Sequence, residues 1–375
     1  MHALLLIDDH RLRTEREWFR RTVIGLVANG VRVSRALPEG EPEDVRLSLA
    51  PAMWYVRPRV PWMARRIHDR FASQVQSTLP DVIHAMGRDS WEIALELARR
   101  VERPLLIDIW STEEVHAAGR MERRYAIAPS YLAASVGLFD QLVQQFPPDR
   151  VIAAPPGLHV DQPPNTVLGR SDVCIAGVIA GRGCSLRSIR RLIEGLVPTT
   201  RKYPQFMLFA DLDEATEEPA WRRSHELGLH AQFSMIPSIA ENRSMVIDAD
   251  LLFVPAATGQ VSTFVLQAMA CPMITIAVRD AVVDFLNEDD WSILLPESDP
   301  ERWTRAVEYV LEHPENGQRL AARARLGVAR NHPMSRQVLL LQDCYERIVA
   351  AASLKSRLAA ESAAQRTAAE RSRST

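Results

Sequence analysis

Short runs of consecutive apolar residues alternate along the chain with longer segments whose apolar positions recur every three or four residues. Strands covered on both faces produce the first pattern and helices with one buried stripe the second, so the alternation predicts parallel sheet joined by crossover helices. In the first half it predicts a strand at 3–7, then a helix through Trp18, Phe19, Val23, Leu26 and Val27. Asn29-Gly30 ends that helix, the glycine suiting a left-handed cap. A strand begins over 31–34, a Pro-rich stretch follows without clear period, and a helix is predicted near 61–77. Next come a strand at 82–85, a helix near 90–101, strands at 105–109 and 125–128, a helix near 130–145 and a strand at 151–154.

The segment from Pro155 to Asn165 is dense in residues that stop both helix and strand, which makes it the best linker candidate. A second cycle follows, with strands near 173–176, 206–209, 231–235, 251–254 and 273–277. Between them lie a helix carrying Leu186 to Leu196 and helices near 217–227, 240–247 and 263–270; helices near 300–312 and 315–330 complete the cycle. Beyond Pro333, the spacing of Met334, Val338, Leu341, Tyr345 and Ile348 marks one buried face of a final helix. The expected organisation is α/β, with one Rossmann-like domain over 1–160, a second over 161–332 and a helix over 333–352. A frayed or disordered tail is expected over 353–375, where Ala, Ser, Arg and Glu offer little apolar surface.

A net charge of -2 favours neither nucleic acid nor an anionic membrane as a partner attracted by the whole molecule's field. Cys174, Cys184, Cys271 and Cys344 lie far apart without a C-x-x-C pair, which points away from zinc and from a disulfide framework and towards a reducing cytoplasm. The apolar run Ala3 to Ile7 is closed by Asp8-Asp9 and is too short for a signal sequence. No apolar stretch approaches the roughly 20 residues that cross a bilayer, so any membrane contact is expected to be peripheral.

Open parallel sheets bind ligands at the carboxyl ends of their strands. The stretch Pro255-Ala-Ala-Thr-Gly-Gln-Val-Ser-Thr-Phe-Val-Leu-Gln267 is a strand end, a glycine loop and a helix opening at Ser262-Thr263, whose free N–H groups suit a phosphate. Ser262 as a plain cap of its own helix is the competing reading.

Several segments in order resemble the family-four glycosyltransferases of GT-B fold: Val27-Ala-Asn-Gly-Val-Arg-Val33, Pro80-Asp-Val-Ile-His84, Ala128-Pro-Ser130, Pro155-Pro-Gly-Leu-His159, Ala249-Asp-Leu-Leu-Phe-Val-Pro255 and Gln267-Ala-Met-Ala-Cys-Pro272. The resemblance implies two Rossmann-like domains facing across a cleft, with the Tyr345 helix crossing back to the first. It also implies retaining transfer from a nucleotide-diphosphate sugar, without a metal, to a carbohydrate or lipid-linked acceptor, at the cytoplasmic side and in some members against the inner face of the membrane. By the same resemblance Ser262 and Thr263 lie beside the donor diphosphate, and the loop from Gly177 to Gly183 takes the place of the family's arginine and lysine. Val178 replaces the arginine, and Arg182 is left to oppose the leaving phosphate or to be simply a solvated surface arginine.

The family's paired glutamates align with Gly259 and Gln267, of which only Gln267 retains a side chain able to reach a ribose hydroxyl. Trp110 stands where a donor-contacting histidine is usual and is a candidate acceptor or surface residue, and Asp8-Asp9-His10-Arg11 replaces the glycine-rich first loop. His10 and His84, both at strand ends, are candidates for a base, with structural roles as the alternative. Arginines interleaved with aromatics from Trp54 to Phe71, Arg65 and Arg66 among them, form a candidate acceptor or membrane surface, the alternative being a solvated helix face with Trp62 and Phe71 in the core. Two functions fit: sugar transfer in polysaccharide or glycoconjugate assembly, or a non-catalytic descendant that binds a sugar, nucleotide or partner.

Overall fold

The computed structural model describes residues 1–57, 61–125, 128–160, 168, 174–236, 249–286 and 290–373. The first unit is a seven-stranded parallel sheet of β1 (His2–Ile7), β2 (Arg32–Pro38), β3 (Ala52–Tyr55), β4 (Val82–Met86), β5 (Leu105–Ile109), β6 (Ser130–Ala133) and β7 (Val151–Ala153). Its spatial order, β3-β2-β1-β4-β5-β6-β7, reverses direction between β1 and β4. The second unit is a six-stranded parallel sheet of β8 (Ile175–Ala180), β9 (Phe206–Asp211), β10 (Phe233–Met235), β11 (Leu251–Val254), β12 (Ile274–Val278) and β13 (Ser292–Leu295), in the order β10-β9-β8-β11-β12-β13. β1, β4, β5, β11 and β12 are buried along their full length, which is why they read as mostly apolar runs, with His84, Asp108 and Thr275 among the polar exceptions.

Around the first sheet pack α1 (Asp9–Thr14), α2 (Arg16–Ala28), α3 (Pro61–Gln76), α4 (Trp91–Val101), α5 (Thr112–Tyr125) and α6 (Val136–Val143). Around the second pack α7 (Leu186–Lys202), α8 (Glu214–Glu226), α9 (Thr263–Ala270), α10 (Pro300–Glu312) and α11 (Pro314–Asn331). Gly30 adopts φ +80 after α2, the left-handed stop expected of it. The strand expected at 125–128 is instead β6, since Tyr125 closes α5. α5, which buries Val115, Ala117, Ala118 and Met121 among Glu and Arg, is a helix that the sequence reading does not include. The helix expected at 240–247 lies outside the described residues.

The last helix, α12 (Met334–Arg373), returns to the first sheet and buries Val338, Leu341, Cys344, Tyr345 and Ile348. It crosses α2 closely, because Gly25 leaves room for Val338: a Cβ there would meet Val338 Cγ2 at 2.5 Å. Gln337 Oε1 accepts from Gly157 N at 2.7 Å and from Trp18 Nε1 at 3.0 Å, which fastens the linker to the returning helix. Leu158 adds a parallel bridge to Pro333. In place of the expected frayed or disordered tail, the segment after Ser353 continues the helix to Arg373. The anchored part has already met the nucleation cost, and Ala, Arg, Gln and Glu are good helix formers that propagate it.

Candidate functional site

The loops that follow β1, β5 and β6 in the first unit meet those that follow β11 and β12 in the second. The loops there join directly: Ser111 and Gln260 form an antiparallel bridge, with Thr112 N donating to Gly259 O at 3.0 Å and Val261 N to Trp110 O at 2.9 Å. One apolar core runs from the first sheet through Val261, Val265, Leu266, Val282 and Val283 of the second.

At the floor of this junction α9 opens at Thr263. Ser262 caps it, its hydroxyl accepting from Phe264 N at 3.2 Å. The Thr263 amide and hydroxyl both donate to the carboxylate of Glu15, which stands between α1 and α2 of the first unit. Thr263 is fully buried and Glu15 nearly so. An anion therefore does sit at this helix start, as the dipole favours, but a protein side chain supplies it. Asp280 accepts from Gly259 N at 2.8 Å and from Val282 N at 2.9 Å. Asp213 accepts from Gly183 N at 2.7 Å.

Arg182 extends from the loop after β8, and its Nε donates to Asp211 at 2.8 Å at the end of β9. Burial pushes the Asp211 carboxyl up to about 6, against the pull of the Arg182 guanidinium. On the first unit's side, Arg11 pairs with Glu114 at 3.0 Å with both side chains buried, and its guanidinium lies 4.3 Å from the Trp110 ring. Burial raises the Glu114 carboxyl pKa, with Arg11 opposing. Glu114 also accepts from Trp110 N at 2.5 Å, so the pair holds the end of β5 in place and is weak evidence for stability by itself.

Residues 185–327, from the second sheet's first helix through most of α11, match the family model described as glycosyl transferases group 1. Solved structures share the whole architecture. Anabaena HepE, in complex with UDP and glucose, superposes with a TM-score of 0.73 at 12% identity, over 92% of this chain and 99% of its own. Sucrose-phosphate synthase from Thermosynechococcus elongatus gives a TM-score of 0.74 at 16% identity, over 94% and 100%. The fold is that of the GT-B glycosyltransferases. A UDP-GlcNAc 2-epimerase from Neisseria meningitidis shares this fold at a TM-score of 0.59 and 14% identity, covering 92% and 99%, so the scaffold alone does not define the chemistry. Among curated proteins none matches the sequence significantly.

Within the GT-B frame the residues singled out from the sequence separate into two groups. Arg182, Gly183, Gly259, Ser262, Thr263 and Gln267 lie on the loops and helix that head the second sheet. Gly177, expected in a donor loop, lies inside β8, where a Cβ would meet the Phe253 ring at 2.7 Å; its role is close packing. Val178 is likewise buried in the strand. Trp110 is not an acceptor surface: it is buried, its ring edge-to-face with Trp18 at 4.7 Å and its Nε1 donating to Asp108 at 3.2 Å.

His84 is fully buried between Asp108 and Tyr345, 2.7 Å from each, and cannot reach an acceptor. His10 is exposed on α1 and does not converge with it. Arg66 is exposed and Phe71 is in the core, while the side chain of Arg65 lies outside the described residues. Glu15, Asp280, Asp213 and Glu114 were missed, although an acid just beyond a strand end, as at Asp213 and Asp280, is a signal visible in sequence. Among the described residues no group of three or more His, Cys, Asp or Glu is placed to hold a metal. No described helix is long and apolar enough to cross a membrane.

Proposed function

We propose that the chain is a nucleotide-sugar glycosyltransferase of GT-B fold, with the donor seated on the 161–332 unit and the acceptor on the 1–160 unit. The observation that carries this reading is the glycosyl transferases group 1 match over 185–327, which spans α9, the helix whose start aims N–H groups into the junction. HepE holds UDP and glucose on the same architecture. In this reading Ser262 and Thr263 take the donor diphosphate, Arg182 opposes the leaving phosphate and Gln267 meets the ribose. Transfer to a carbohydrate or lipid-linked acceptor in polysaccharide or glycoconjugate assembly follows. A peripheral contact at the inner face of the membrane is supported by exposed Val45, Leu49, Trp54 and Val56 beside exposed Arg46.

A second reading, a non-catalytic GT-B binding protein, is favoured by one observation: Gly183, Gly259 and Thr263 already donate their N–H groups to Asp213, Asp280 and Glu15. Calorimetric titration of the full chain with UDP-, GDP- and ADP-sugars separates the two. A transferase binds one nucleotide class measurably and selectively; silence across the panel supports the second reading.

A further inference from the structure

Each unit supplies a carboxylate to the start of a helix in the other. Glu15 of the first unit takes the Thr263 amide and hydroxyl at the start of α9. Asp284 of the second takes Val136 N at 2.6 Å and Gly137 N at 3.3 Å at the start of α6. Between these caps runs the short antiparallel pairing of Trp110–Thr112 with Gly259–Val261, so three fastenings cross the junction. Gly137 makes the second cap possible, since a Cβ there would lie 2.8 Å from Val282 Cα.

We infer that Glu15 is a latch: it holds the cleft shut by occupying the anion seat of α9, and a nucleotide diphosphate must displace it to bind. The inference rests on the proposed donor reading for the identity of the displacing anion, but the latch contact itself does not. Two anions cannot share one helix start. A diphosphate carries more negative charge than a carboxylate and so competes effectively with it, while Glu15 has the advantage of being tethered nearby. Apparent donor affinity is then the intrinsic affinity multiplied by the fraction of molecules in which Glu15 has left.

Glu15→Gln keeps the size and an acceptor oxygen but removes the charge. Two readouts are measured on the full chain: hydrogen exchange of the amides from Thr263 to Leu266, and calorimetric binding of UDP, GDP, ADP and inorganic pyrophosphate. The expected result is exchange at least about tenfold faster without ligand and diphosphate binding at least about tenfold tighter, in keeping with the loss of a charged hydrogen bond to a helix start. Unchanged exchange with equal UDP binding in both proteins overturns the latch and leaves the donor reading standing. Faster exchange with no diphosphate bound by either protein keeps the latch and removes the donor reading. If the glutamine variant does not fold, Glu15→Asp, too short to span the same gap, carries the same two measurements with the same expected directions.

Discussion

Thr112 stands where a side chain at Gly259 would go: a Cβ added to Gly259 would lie 2.7 Å from Thr112 Oγ1. Gly259 also adopts φ +62, a conformation that costs any other residue. A side chain at this position is disfavoured, because the backbone here has turned to pair with the first unit. Restoring the acid as Gly259→Glu is therefore expected to lower stability by about 1–3 kcal/mol, without strengthening sugar-nucleotide binding. Urea denaturation beside a binding titration checks this, and a stable variant with tighter binding would contradict it.

Tyr345 reaches across from α12 to His84 at 2.7 Å, and His84 in turn meets Asp108 at 2.7 Å, all three buried. Tyr345→Phe leaves the His84 Nδ1 without that partner and is expected to cost about 1–3 kcal/mol in thermal or urea denaturation. Because His84 is sealed away from the cleft, nucleotide affinity should stay within about twofold of wild type at temperatures where the variant is folded. A large loss of binding without a loss of stability would return His84 to the list of functional residues.

The Asp211 carboxyl, pushed up to about 6, sets a pH dependence whose sign follows from its position beside Arg182. The folded state holds this proton more tightly than the unfolded chain, so the associated stability is complete below the ordinary value of 3.8 and is lost as pH rises through about 6. Protonation also leaves the Arg182 charge unopposed. Pyrophosphate and UDP should therefore bind more tightly to wild type as pH falls from 7.5 to 5.5, relative to Asp211→Asn, which removes the titrating group. Parallel slopes in the two proteins would show that Arg182 is not part of the anion seat.

Gly137→Ala places a methyl group against the backbone of Ala281 and Val282 at 2.8–2.9 Å, contacts that cannot yield by rotating a side chain. Destabilisation of about 1–3 kcal/mol is expected, together with faster proteolysis around the junction. An unaltered melting curve would mean that the two units are not held at this point in solution.

Much of the fold was legible. α9 at 263–270, β1, β4, β5 and the stripe of α12 were predicted closely, because long apolar runs and regular spacing are signals local to a segment. Ala52–Tyr55, a four-residue edge strand beside a Pro-rich stretch, is too short to carry such a signal. In the site, the helix start at Ser262 and Thr263 was found from its own residues. Its occupant was not, because Glu15 meets Thr263 across 248 positions of sequence and carries no periodic or motif signal of the encounter. The resemblance puts Trp110 at a donor-contacting position, whereas its packing against Arg11 and Trp18 depends on where α1 and α2 land.

A crystal structure of the full chain grown with the nucleotide sugar that binds most tightly would show whether Glu15 and the donor compete for the start of α9. The diphosphate is expected within hydrogen-bond reach of the Thr263 amide and the Arg182 guanidinium, with Glu15 turned away. A nucleotide bound elsewhere while Glu15 still holds Thr263 would contradict this expectation.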